Sequence, residues 1–241
     1  MSVVPSIPTP LTQPALDMRV RDLGRMNYAD ALALQRQLQL EVIESRTSDA
    51  SGTTGLAHLL LVEHDPPVIT VSRRPDARKH LIASEQLLLA AGVEVAETDR
   101  GGDITYHGPG QLVVYPILDL NRFGLRIDSY MRMLEQIVID VLARFGIAGE
   151  RDSAATGVWV RSNAAPSKIC AMGVRVSRWV SMHGLALNVA TNLDHFSLIV
   201  PCGLAGRSVT SMQRELGASA PMMEAVKQAM IDAFTQTLRA R

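Results

Sequence analysis

The sequence predicts an α+β domain with a mixed, mostly antiparallel sheet flanked by helices, and three observations predict it. Short apolar and β-branched runs outnumber crossover helices in the middle of the 241-residue chain, so strands pair without a helix between each. Helical periodicity opens the folded part, returns in mid-chain and closes the chain. No repeat and no clear linker divides it, so a single domain (18–241) follows a flexible tail (1–17).

The tail, MSVVPSIPTPLTQPALD, has four prolines and no charge before Asp17, so it lacks the positive n-region of a secretory signal and reads as disordered. From Tyr28 to Arg46, apolar or long side chains recur at Leu32, Gln35 or Arg36, Leu38 or Gln39, and Val42, the spacing of an amphipathic helix. SRTSDASGTTG breaks it as a surface loop. AHLLLVEH and VITVS flank Asp65-Pro66-Pro67 and predict strand, turn and strand. SEQLLLAAG is a short helix ending at Gly92, and VEVAET is a strand. QLVVYPILDL is another, with Pro116 placing it at an edge or a bulge. DSYMRMLEQIVIDVLARF carries an apolar face at Met131, Leu134, Ile137, Val138, Val141 and Leu142, with Gly146 to end the helix. GVWV, KICAMGVRV and WVSMHGLALNV form a strand meander, and helices near Val209–Leu216 and Met222–Leu238 finish the chain.

Composition excludes several classes. The 24 basic and 24 acidic side chains cancel, which argues against a nucleic-acid binder. Two cysteines make no disulfide framework and fit a reducing compartment. No apolar run approaches the roughly 18 residues that cross a bilayer, so a cytoplasmic protein without a membrane partner is expected. His58 and His64 are six apart, no Cys-x-x-Cys exists, and no metal is expected.

Chemistry concentrates in RGGDITYHGPGQ, residues 100–111. Its spacing fits neither the phosphate-binding loop nor the dinucleotide fingerprint, and by itself it reads as a structural turn. Lys168 opens an apolar strand, and Cys202 follows an apolar run and a proline. Each has an ordinary reading, a solvated amine and a core thiol. The sharper reading pairs them: a free thiol is only a few per cent thiolate at pH 7, and a neighbouring cation raises that fraction. Cys170, two residues from Lys168 on the same strand face, competes for the role, and His107 or His183 could instead serve a cysteine as base. Spacing does not choose among them.

Together, RGGDITYHGPGQ, KICAMGVR, HGLALNV and IVPCG resemble the lipoyl(octanoyl) transferase family, from about Leu59 to Leu216 and in the family's order. The resemblance implies a fold related to biotin and lipoate ligases. It also implies ping-pong transfer of an octanoyl group from octanoyl-acyl carrier protein to a lysine of lipoyl domains, those of 2-oxoacid dehydrogenases and the glycine cleavage H protein. It assigns Cys202 as nucleophile and Lys168 as its partner, and places no nucleophile at Cys170. It implies substrate contacts at Arg100, Gly101, Gly102, Asp103, Ile104, Thr105, Tyr106 and His107, then at Ala171, Met172 and Gly173, and at Gly184, Leu185 and Ala186. No cofactor, no metal and a monomer are expected, the donor's phosphopantetheine carrying the acyl group. Asp103, the Ser72-Arg73 pair and the SNAAPS insertion depart from the family's pattern. Arg73 to His80 gathers basic side chains that could dock an acidic carrier protein. Two other readings of the same residues are an ATP-dependent lipoate or biotin-type ligase and a non-catalytic carrier-domain binding module.

Overall fold

The computed structural model describes residues 15–48, 54–161, 165–200 and 207–241. In chain order, β1 (Ala15–Met26), α1 (Tyr28–Ser48), β2 (Thr54–His64) and β3 (Val68–Ser72) come first. They are followed by α2 (Glu85–Ala90), β4 (Glu94–Thr98), β5 (Ile104–His107) and β6 (Gln111–Ile117). Next are α3 (Ile127–Arg144), β7 (Gly149–Arg151), β8 (Val158–Val160), β9 (Ser167–Ser177) and β10 (Val180–Asn188), with α4 (Met212–Leu216) and α5 (Met223–Arg239) last. Among the described residues no helix is long and apolar enough to cross a membrane.

The larger sheet has the order β1-β2-β6-β10-β9-β8-β7 and is antiparallel except for the β1–β2 pair. The smaller sheet, β4-β3-β5, pairs β3 parallel to β4 and antiparallel to β5. Period-2 alternation sorts the central strands between two apolar layers. Leu59, Leu61, Leu112, Val114, Leu185 and Leu187 face α3 and α5, while Leu60, Val62, Val113, Tyr115 and Ala186 face α1. A third cluster joins Ile69, Val71, Ile104 and Tyr106 of the small sheet to Leu88, Phe196 and Leu198. The α+β class with a mixed, mostly antiparallel sheet is the one observed.

The helical spacing of α1 buries Gln35, Leu38, Gln39 and Val42, as its pattern predicts. Its two buried glutamines dock it by hydrogen bonds: Gln39 Nε2 donates to Val180 O (2.8 Å), and Gln35 Oε1 accepts from His183 N (2.9 Å).

Several details differ from the sequence reading. Residues 15–17, which it places in the tail, already pair with β2, while 1–14 lie outside the described residues. The rest of β1 has no counterpart there, because an edge strand with Arg19, Arg21 and Arg25 exposed shows no clean alternation. The glycine-rich stretch holds a strand, β5, flanked by its turns. The helix expected from Val209 begins at Met212, because Val209 instead bridges to Lys168.

Pro116 gives the main correction: β6 is central, lying between β2 and β10. Extending the register Leu185↔Val114 by two residues sets His183 opposite Pro116, where no N–H can donate. The ladder is interrupted there. His183 adopts φ +59° and its N–H turns to Gln35, while Pro116 O accepts from the Ser181 hydroxyl (2.8 Å). A proline is tolerated in this interior strand because side chains replace the missing rungs.

Candidate active site

A cavity of about 500 Å³ opens between the two sheets. Its walls are the loop after β4, the cavity face of β5, β9 and β10, and the loop 154–156 before β8. Three of the segments that carry the family resemblance converge on it, together with Lys168.

The loop after β4 is held by backbone-to-backbone contact. Gly101 N donates to Val174 O (2.9 Å), and a Cβ on Gly173 would sit 2.5 Å from Gly101 O. Only glycine allows that approach. Gly102, at φ +95°, turns the chain away again. Arg100 latches the loop to β3: its guanidinium donates to Thr70 O (3.0 Å), Thr70 Oγ1 (3.0 Å), Gly101 O (3.0 Å) and Asp103 O (3.2 Å).

Strand alternation then divides β5. Thr105 and His107 line the cavity with Arg100, Gly101, Gly102 and Asp103. Ile104 and Tyr106, which the resemblance places among substrate contacts, face the small-sheet core instead, where Tyr106 OH pairs with His195 Nδ1 (2.8 Å). On β9 and β10 all six implied contact residues line the cavity. Asp103 is buried, with Oδ2 2.5 Å from His80 Nδ1. Arg73, Arg74, Arg78 and Lys79 are exposed; Lys79 pairs with Asp76 (2.7 Å), and Arg74 reaches the cavity.

Three histidines cluster with Tyr115 beneath this wall. His64 Nδ1 donates to Met26 O (3.1 Å), so its Nε2 accepts from Tyr115 OH (2.7 Å), and burial brings its pKa down to about 4. Burial, with His64 and Arg100 nearby, holds His107 well below the usual imidazole value. Burial also lowers His183, partly offset by its contact with Asp99 (2.8 Å). Burial disfavours ionisation of Asp99, but the bond from His183 and the Arg175 cation at 2.6 Å keep its carboxyl below the usual range. The imidazoles therefore act at neutral pH as uncharged donors and acceptors.

Lys168 lines the cavity with its ammonium 4.7 Å from the Trp159 ring centroid, a cation–π distance. Burial in the main core pushes the Cys170 thiol up to about 12, which leaves it protonated and inert at pH 7. Cys202 lies outside the described residues. Ser208, six positions further on, accepts from Lys168 N (2.9 Å), and Thr210 N donates to Lys168 O (2.9 Å).

Several structural contributors were missed by sequence reasoning. Glu135, buried on α3, accepts from Arg132 (2.6 Å), Arg151 (3.2 Å) and Gly157 N (3.2 Å), anchoring the 154–156 wall. Gln111 and Asn188 are buried in the central strands, where a polar residue at the end of an apolar run was the available signal.

Residues 27–235 match the family model described as lipoyl protein ligase A/B catalytic domain. The chain is 49% identical over 210 residues to an octanoyltransferase from Chloroflexus aggregans, covering 86% of this chain and 89% of that one. It is 48% identical over 214 residues to an octanoyltransferase from Myxococcus xanthus, covering 88% of this chain but only 57% of that longer protein. A bipartite lipoate protein ligase from Thermoplasma acidophilum, solved with its E2 lipoyl domain, matches the fold with a TM-score of 0.69 at 18% identity, over 93% of this chain and 85% of that one.

Proposed function

The chain belongs to the lipoyl protein ligase A/B catalytic-domain family, and from that premise we propose that it is an acyltransferase that moves an octanoyl group from octanoyl-acyl carrier protein to a lysine of lipoyl domains, through a thioester on Cys202. The observation that carries this reading is the cavity. At about 500 Å³ it falls in the range of small-ligand sites, and its small or apolar residues Ala171, Met172, Leu185 and Ala186 meet Lys168 and the Arg100–His107 wall there.

The transfer proceeds in two half-reactions. The Cys202 thiolate attacks the octanoyl thioester carbonyl, a new C–S bond forms, and the carrier's C–S bond breaks. Protonated Lys168 gives its proton to the departing pantetheine thiolate. In the second half, the acceptor amine attacks the Cys202 thioester, the C–N bond forms and the Cys202 C–S bond breaks, and the now neutral Lys168 takes the amine proton. One thioester replaces another at little free-energy change, and the final amide is the downhill step, so no ATP is needed. Acceptors are the lipoyl domains of 2-oxoacid dehydrogenases and the glycine cleavage H protein.

Brief exposure to octanoyl-acyl carrier protein, followed by intact mass and peptide mapping, tests the reading. One octanoyl group on Cys202, discharged by a lipoyl domain without ATP, is the expected result. Transfer from free octanoate with ATP that survives Cys202→Ser would overturn it.

A further inference from the structure

His107 is joined to the Lys168 strand by an unbroken chain of buried hydrogen bonds. The imidazole Nδ1 meets Gln111 Oε1 (2.8 Å), and Gln111 Nε2 donates to Tyr106 O (3.2 Å) and Asn188 Oδ1 (2.9 Å). Asn188 Nδ2 donates to Thr210 O (2.9 Å), and Thr210 N donates to Lys168 O (2.9 Å).

The direction of this chain is fixed by its ends. Tyr106 O and Thr210 O are main-chain carbonyls that can only accept, so each must face an amide nitrogen. Gln111 therefore turns its oxygen to the imidazole, and Nδ1 must carry the hydrogen. Nε2 is left as the lone-pair nitrogen on a ring that lines the same cavity as Lys168.

We propose that His107 Nε2 accepts a hydrogen bond from the attacking amine of the acceptor lysine, and that Gln111 and Asn188 are positioning residues that hold this tautomer. The proposal rests on the octanoyl-transfer reading. Among the reacting groups, the alkyl thioester and the cysteine thiolate bring no N–H, whereas a neutral amine brings two. An acceptor on the N–H side directs the amine lone pair at the thioester carbon. The low basicity of the buried imidazole prevents it from competing for the proton, which passes to Lys168. Pantetheine amides also carry N–H groups, but a bond to them would act in the first half-reaction and not the second.

Single-turnover measurement separates the two halves, with octanoyl-enzyme formation and its discharge to a lipoyl domain each followed by intact mass. His107→Asn keeps a donor toward Gln111 and removes the acceptor at Nε2. It should form the octanoyl-enzyme within about 3-fold of the wild-type rate and discharge it about 10- to 150-fold more slowly, the weight of one hydrogen bond to a nitrogen that gains positive charge as it attacks. Gln111→Met, which removes the acceptor that holds the hydrogen on Nδ1, should slow discharge by about 3- to 10-fold, the weight of one neutral hydrogen bond, and slow formation less. Equal slowing of both halves, slowing of formation alone, or wild-type discharge in either variant would overturn the assignment. A wild-type protein that never forms octanoyl-enzyme would instead defeat the underlying reading. Should His107→Asn fail to fold, the ratio of discharge to formation rates in Gln111→Met decides by itself.

Discussion

Gly173→Ala tests whether the cavity wall depends on contact between two backbones. An added Cβ would lie 2.5 Å from Gly101 O and 3.3 Å from Arg100 Cδ. Ordinary Cβ contacts begin at 3.4 Å, so β9 and the loop after β4 must separate by about 0.9 Å. The obstacle is a main-chain oxygen held by neighbouring hydrogen bonds, which no side-chain rotation relieves. Overpacking of this kind costs about 1–3 kcal/mol, and at this chain length about 2 kcal/mol lowers Tm by about 4–8 °C. Activity should fall further than stability, because a shift near 1 Å at a substrate wall costs on the order of 100-fold in rate. Gly92→Ala is the control: its φ of +63° strains any side chain, yet nothing lies within 4 Å, so it should lower Tm and leave octanoyl transfer intact. Thermal unfolding and single-turnover transfer on the same preparations provide both readouts. Wild-type Tm and rate in Gly173→Ala would refute the reasoning.

Cys170→Ala should keep the octanoyl adduct and lose about 1 kcal/mol of stability, while Cys202→Ala should lose the adduct; peptide mapping after exposure to the donor checks both. His64 takes its proton near pH 6.5 when unfolded but only near 4 when folded. Unfolding then takes up a proton, so about 3 kcal/mol is lost progressively as pH falls from about 6.5 to about 4, and His64→Gln should flatten that part of a Tm-against-pH curve. Glu135→Ala releases Arg132, Arg151 and Gly157 N. Because both arginines are partly exposed, the expected loss is about 2 kcal/mol, measured by denaturant unfolding, with slower transfer from a loosened 154–156 wall. Each buried methylene contributes about 0.8 kcal/mol, so a hexanoyl donor should bind about 15-fold more weakly than octanoyl in a competition assay.

The sequence by itself determined the alternating central strands, the helical faces of α1 and α3, and the segments that wall the cavity. Those features follow from local periodicity, which the order of side chains records directly. It also singled out Lys168, whose charge is anomalous beside Ile169 and Cys170. Burial of Cys170 needed the packed core, since spacing alone leaves both thiols eligible as nucleophile. The central position of Pro116 depended on which strands became neighbours: Ser181, 65 residues away in sequence, donates to Pro116 O, and Gln35, 148 residues from His183, accepts the His183 N–H that the broken ladder leaves over. The tautomer of His107 was likewise settled by tertiary structure, because it depends on carbonyls contributed by β5 and by the chain before α4. Local pattern sets which face a side chain takes; the groups it meets are set by chain segments brought together only on folding.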